Sequence, residues 1–173
     1  MSRKKQERTE EERISELLVQ FKVPTVAKEL IPRLVSAGPE TLVATVLEVL
    51  EAEAEDRRGR RIERLRRASH LPGGKTVATL DQGRLPRVLR EQFRELLRGD
   101  FLDRAVNVLC FGLPGTGKSH VGCALGHALV EAGHAVLFTP TYQLVQELLA
   151  AKQTLTLPRA LRKLDVYELI VLD

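Results

Sequence analysis

Eight consecutive residues, Gly112-Leu113-Pro114-Gly115-Thr116-Gly117-Lys118-Ser119, constrain this chain more than any other feature. They fit G-x-x-x-x-G-K-[ST], a phosphate-binding pattern whose chemistry requires a strand turning sharply into a helix. Gly115 and Gly117 permit positive φ and let the backbone approach an anion without a Cβ in the way. The turned backbone presents successive N–H groups as a nest, and the following helix adds its positive end. Lys118 sets a point charge against the β- and γ-phosphates, and Ser119 offers a hydroxyl to Mg²⁺. All eight residues are therefore candidates for holding a nucleoside triphosphate.

The flanking sequence agrees with that requirement. Val106–Phe111 is a short, apolar, β-branched run ending in glycines, which predicts a buried strand. Lys118 to Ala132 reads as a helix stopped at Gly133, and Ala135–Thr139 as a second strand ended by Pro140. A further helix, with Leu144, Leu148 and Leu149 inward, runs toward a turn at Thr154–Leu157. Leu169–Leu172 reads as a third strand and leads into Asp173. Strand, helix, strand, helix, strand is the pattern of a parallel sheet covered by helices. An aspartate at the end of such a strand holds Mg²⁺ directly or through water, so Ser119 and Asp173 are the candidate metal ligands.

Upstream the texture is helical. Ile14, Leu17, Leu18 and Phe21 share one helix face, and Pro24 and Pro32 are expected to break the stretch after it into short helices and turns. Ser36-Ala37-Gly38-Pro39 is a break, with Pro39 suited to the first turn of a new helix. Leu42, Val46, Val49 and Leu50 then form an apolar stripe on a helix running to about Ser69, in which Gly59 marks a kink or boundary. His70-Leu71-Pro72-Gly73-Gly74 is the clearest linker. After it comes an amphipathic helix with Leu89, Phe93, Leu96 and Leu97 on one face and Gly99 as its stop. The expected organisation is a helical region at 1–70, a linker and amphipathic helix at 71–105, and a phosphate-loop core at 106–173. The fold class is α/β.

Charge is concentrated in one place. Arg57 to Arg67 holds seven arginines against one acid, Glu63, a local +6; the whole chain is +4, so the remainder carries −2. Arg57, Arg58, Arg60, Arg61 and Arg64 are candidate contacts to nucleic-acid phosphates. A solvated helix face is the alternative, because Glu48, Glu51, Glu53, Glu55 and Asp56 precede the arginines and complement the helix dipole.

A hydrophobic content of 43% argues against wholesale disorder. No apolar run reaches the roughly 18 residues of a membrane span, and the start shows no secretory signal. Cys110 and Cys123 make no disulfide framework or metal spacing and read as two buried thiols of a reducing compartment. A cytoplasmic location without membrane contact is the expectation.

Gly112 to His120, the helix through His127 and Gly133, and Leu169–Asp173 together resemble the AAA+ ATPase of IstB-like transposition helpers. Thr79-Leu80-Asp81 before Leu85–Leu97, and Asp100 to Arg104 before the first strand, are also similar to this family and to the related DnaC-like helicase loaders. The resemblance implies ATP and Mg²⁺ as cofactors. It also implies a homo-oligomer that assembles on DNA, double-stranded and without sequence preference, and that delivers or activates a transposase. It implies that Phe101 lies near the nucleotide, although an ordinary core phenylalanine is the better explanation. Relatives continue past the strand aspartate with a catalytic glutamate, two further strands, a sensor and an arginine finger. In their sheet the next strand lies between Val106–Phe111 and Leu169–Leu172, so a gap or an altered pairing is expected there. On that reading the chain is the incomplete front part of an ATPase, and by itself hydrolyses ATP negligibly. A helicase loader, a small kinase and a non-catalytic interaction module are the alternatives.

Overall fold

The computed structural model describes residues 18–19, 22–36 and 42–173. Ile14, Leu17, Phe21, the break at 37–39 and the side chains of Leu42 and Val46 lie outside the described residues. The chain divides into two compact units, 1–60 and 61–173.

In the first unit, α1 spans Pro24–Ser36. Pro24 begins it, where a missing N–H does no harm. Pro32 does not interrupt the chain as expected but sits inside the helix. Helix α2 is continuous over Leu42–Ala68, with Gly59 within it. Of the anticipated stripe, Val49 is fully buried while Leu50 is half exposed. Glu53 is the polar residue that organises this unit. Its carboxylate accepts from the Thr25 amide at 2.9 Å, satisfying a donor in the first turn of α1, and from Arg57 Nε at 2.7 Å. Arg60 adds a longer bond at 3.3 Å.

The Arg57 guanidinium beside Glu53, helped by the Thr25 amide, pulls its carboxyl from the usual 4.5 down to about 2. A depressed folded pKa stabilises the folded state above the unfolded value and loses that contribution as pH falls through the folded one. The α1–α2 packing is therefore expected to hold above pH 4.5 and weaken between pH 4.5 and about 2. The Thr25 amide resonance, followed by NMR, should titrate over that window, and Glu53→Gln should abolish the titration.

In the second unit, α3 spans Arg87–Leu96, the short α4 Asp100–Asp103, and α5 Lys118–Glu131. Strand β1 is Val136–Thr139, α6 Thr141–Gln153, α7 Leu157–Leu164 and β2 Leu169–Leu172. The two strands pair in parallel, with Val136 opposite Leu169 and Thr139 opposite Leu172. Helix α5 covers them, and its small residues allow a close approach. Gly122 lies against Val171, and a Cβ at Gly126 would sit 2.9 Å from Leu71 Cδ2. Around α5 the core gathers Phe93, Phe101, Ala124, Leu125, Leu129, Val130 and Val136. Phe101 is 5% exposed, an ordinary core phenylalanine.

Three expectations are corrected. Val106–Phe111 does not form a strand; its backbone is irregular and Leu109 and Phe111 are 75% and 88% exposed. A strand exists only when a neighbour completes its ladder, and among the described residues β1 and β2 pair with each other alone. Among the described residues the sheet therefore has two strands rather than three. Cys110, within that segment, is consequently exposed and not buried, whereas Cys123 is buried on α5, where desolvation raises its thiol pKa. Leu149 points outward, half exposed, while Leu144 and Leu148 are partly buried. Helix α7 is an addition to the expected elements. Leu157, Ala160, Leu161 and Leu164 do carry its i, i+3, i+4, i+7 pattern, with Pro158 in the first turn.

Candidate phosphate and metal site

The loop Gly112–Gly117 enters α5 with Gly115 at φ 77° and Gly117 at φ 89°, the left-handed backbone that glycine adopts without strain. Thr116 Oγ1 donates to the Leu113 carbonyl at 2.8 Å, closing the bend from inside. Among the described residues the amides of Gly115, Gly117, Lys118 and Ser119 bond no protein acceptor. They are the unpaired donors expected of a helix N-terminus, and their local field favours an anion.

Lys118 Nζ donates to the Gly112 carbonyl at 2.9 Å and the Leu113 carbonyl at 2.8 Å. The ammonium is thus held at the loop by weak neutral acceptors that an anionic oxygen outcompetes. Ser119 Oγ donates to Asp173 Oδ1 at 2.5 Å, joining the first turn of α5 to the residue after β2. Asp173 is itself fixed by the strands. Its amide donates to the Thr139 carbonyl at 3.3 Å, and its carbonyl accepts from the Thr141 amide at 2.9 Å. Two hard oxygen donors thus meet at the first turn of α5 beside the loop, which suits the oxygen preference of Mg²⁺. No cluster of three or more His, Cys, Asp or Glu side chains capable of holding a metal occurs among the described residues.

The linker packs against the same helix through two histidines outside the phosphate-binding pattern. His120 Nε2 lies 3.1 Å from Thr79 Oγ1 and 3.3 Å from the Thr76 carbonyl. Two turns further along, His127 Nε2–H donates to the Pro72 carbonyl at 3.1 Å. Their i, i+7 spacing on α5 is the one signal of this role that the sequence carries. At the opposite end of the sheet, His134 Nδ1–H donates to Glu168 Oε2 at 2.7 Å, and that bond holds the Glu168 carboxyl below its ordinary pKa.

The five candidate DNA-contacting arginines are placed less simply. Arg57 bonds Glu53 and the Lys22 carbonyl, and Arg60 bonds Glu53 and Asp56. Arg61 donates to the Gly133 carbonyl at 3.1 Å. Arg58 and Arg64 are exposed and have no ion-pair partner among the described residues. Beyond the five, Arg66 bridges Glu63 and Glu131, and Arg67 bonds Glu63. Much of the arginine-rich segment is therefore internally neutralised.

Comparison with known proteins adds independent findings. A family model described as IstB-like ATP binding protein matches residues 26–173. An insertion-sequence ATP-binding protein of Sinorhizobium fredii is 44% identical over 126 residues, covering 72% of this chain and 42% of its own length. The ATP-binding protein of insertion sequence IS21 from Pseudomonas aeruginosa is 38% identical, covering 72% of this chain and 47% of its own length. That of IS5376 from Geobacillus stearothermophilus is 34% identical, covering 72% and 50%. The chain thus spans about half the length of these curated relatives or less. No described helix is long and apolar enough to cross a membrane.

Proposed function

The chain belongs to the family of IstB-like ATP-binding proteins, and from that premise we propose that it is an ATP-binding helper of insertion-sequence transposition. In this reading it assembles on DNA as a homo-oligomer and delivers or activates a transposase. The observation that supports the nucleotide assignment is that four unpaired amides, the Lys118 ammonium held at the loop and the Ser119–Asp173 pair all belong to the junction of the loop with α5. Relatives named as insertion-sequence ATP-binding proteins support the biological setting.

In binding ATP, the amides of Gly115, Gly117, Lys118 and Ser119 would take the phosphate oxygens, and Lys118 would exchange its loop carbonyls for the β- and γ-phosphates. Ser119 and Asp173 would hold Mg²⁺, which supplies neutralisation of the phosphate charge when bound. Holding the ion would require Ser119 to release the hydrogen bond it now donates to Asp173. Arg57, Arg58, Arg60, Arg61 and Arg64 are the proposed phosphate contacts to DNA, with Arg58 and Arg64 already available.

Titration with a fluorescent ATP analogue, with and without Mg²⁺, tests the metal pair. Mg²⁺ should tighten binding to the unaltered chain by about tenfold. Asp173→Asn should lose most of that gain and leave the Mg²⁺-free affinity unchanged. An unaltered Mg²⁺ gain in Asp173→Asn would remove Asp173 from the site.

A further inference from the structure

Residues 71–79 lie between α2 and α3 and run along α5 in the opposite direction, fastened at three levels. Leu71 fills the notch at Gly126, where a Cβ would meet Leu71 Cδ2 at 2.9 Å. His127 Nε2 holds the Pro72 carbonyl at 3.1 Å. His120 Nε2 holds the Thr76 carbonyl at 3.3 Å and Thr79 Oγ1 at 3.1 Å. Thr79 Oγ1 gives its own proton to the Gly74 carbonyl at 2.6 Å, which leaves it an acceptor for His120 Nε2–H. From His127 to His120 is about 10 Å of helix, and the four residues from Pro72 to Thr76 reach at most about 14 Å. The strap has little slack while both histidines hold it.

Between its fastenings the strap is free to open. Gly73 and Gly74 have nothing within 4 Å of where a Cβ would stand, and Gly74 takes φ 85°. Adjacent glycines regain much conformational entropy on release, so docking depends on the hydrogen bonds at either end.

The strap and the phosphate loop meet in the first turn of α5. Lys118 reaches the loop carbonyls, Ser119 reaches Asp173, and His120, the next residue, reaches the strap. Three consecutive residues of one helical turn are ordered together. Fixing that turn for the strap therefore fixes it for an anion on the Lys118 and Ser119 amides, and the ordering entropy is lost once rather than twice. His127, two turns away, fastens the same strap without belonging to that turn.

Resting on the nucleotide reading above, we propose that residues 71–79 are a strap whose docking on α5 is coupled to occupancy of the phosphate loop, with His120 as the positioning residue that links them. The coupling is positive and reciprocal. A docked strap tightens nucleotide binding, and bound nucleotide holds the strap down by the same factor. Occupancy is thereby felt at the C-terminal end of α2, where the Leu71 amide bonds Ser69 Oγ at 3.3 Å.

The test uses the full chain, a fluorescent ATP analogue for affinity, and hydrogen exchange read by mass spectrometry on a peptide covering 74–80. Within that peptide the Thr76 amide bonds Thr79 Oγ1 at 2.9 Å, and the Thr79 and Leu80 amides bond the Thr76 carbonyl at 3.2 and 3.1 Å. Their exchange reports release of the strap. Saturating analogue should slow it by about tenfold, and His120→Ala should weaken analogue binding by about tenfold and remove the protection. Alanine is the better helix former, so a frayed α5 cannot be the cause. His120→Gln, whose side-chain amide can donate to the Thr76 carbonyl, should regain most of both effects. His127→Ala should lower the melting temperature as much as His120→Ala yet change affinity by less than about twofold, because the turn at 74–79 stays clasped. Two merely structural histidines would not separate in this way.

Unchanged affinity in His120→Ala, or exchange at 74–80 indifferent to analogue that does bind, overturns the coupling and leaves the nucleotide reading standing. Protection that survives in His120→Ala means that nucleotide touches the strap directly and removes His120 from the link. An unaltered chain that binds no analogue overturns both.

Discussion

Lys118→Ala is expected to weaken binding of a non-hydrolysable ATP analogue by at least about 100-fold, equivalent to about 2.7 kcal/mol. The reason lies in how the loop divides its work. The amides of Gly115, Gly117, Lys118 and Ser119 survive the substitution, so shape and partial charge remain. The full positive charge is lost, and the phosphates it faces keep their negative charge. Folding should change little, because the bonds lost in the free protein are two, to the exposed carbonyls of Gly112 and Leu113. Calorimetric titration beside a thermal melt separates the two effects. Equal affinity in the variant would refute the nucleotide assignment, and a collapsed melt would mean that Lys118 is structural.

The largest effect on stability belongs to Leu129. It is 1% exposed on α5, within the cluster formed by Phe93, Phe101, Ala124, Leu125, Val130 and Val136. Its Cδ2 is 3.4 Å from where a Cβ on Gly99 would stand, so little room exists for neighbours to collapse inward. Leu129→Ala should therefore destabilise the second unit by about 3–4 kcal/mol, the transfer term plus the cavity it leaves. In urea the unfolding midpoint, read by circular dichroism, should fall by about 2 M. Leu149→Ala on the neighbouring helix, half exposed, should shift stability by less than about 0.5 kcal/mol. A small effect at Leu129 would mean that the core is not centred on α5. Because α5 also carries Lys118 and Ser119 in its first turn, loosening it should reduce nucleotide affinity too.

How much of this is legible in the sequence varies residue by residue. The boundaries of α5 are legible because glycine at both ends is a local backbone signal, and Gly117 and Gly133 do take positive φ. Strands β1 and β2 are legible because short β-branched runs ended by Pro140 and Asp173 leave few alternatives. Val106–Phe111 carries the same local signal and does not become a strand, since nothing in its own residues supplies the partner edge. The outward turn of Leu149 depends on which helix face is covered, whereas α7 is legible in the spacing of Leu157, Ala160, Leu161 and Leu164. The clasp of His120 and His127 on the linker depends on a chain return that no spacing announces.

What the amino-acid order determined unaided was the phosphate loop, because its chemistry needs only adjacent residues: glycines that can bend, a lysine and a serine opening a helix. What the folded chain decided was everything requiring a partner from elsewhere. Asp173 meets Ser119 because β1 and β2 run parallel in register, placing the end of one strand beside the first turn of α5. Arg57 and Arg66 are ion-paired with Glu53 and Glu131, while Arg159 and Lys163 have no ion-pair partner among the described residues. Composition counts charges equally; only packing places a carboxylate within reach of one arginine and water beside another.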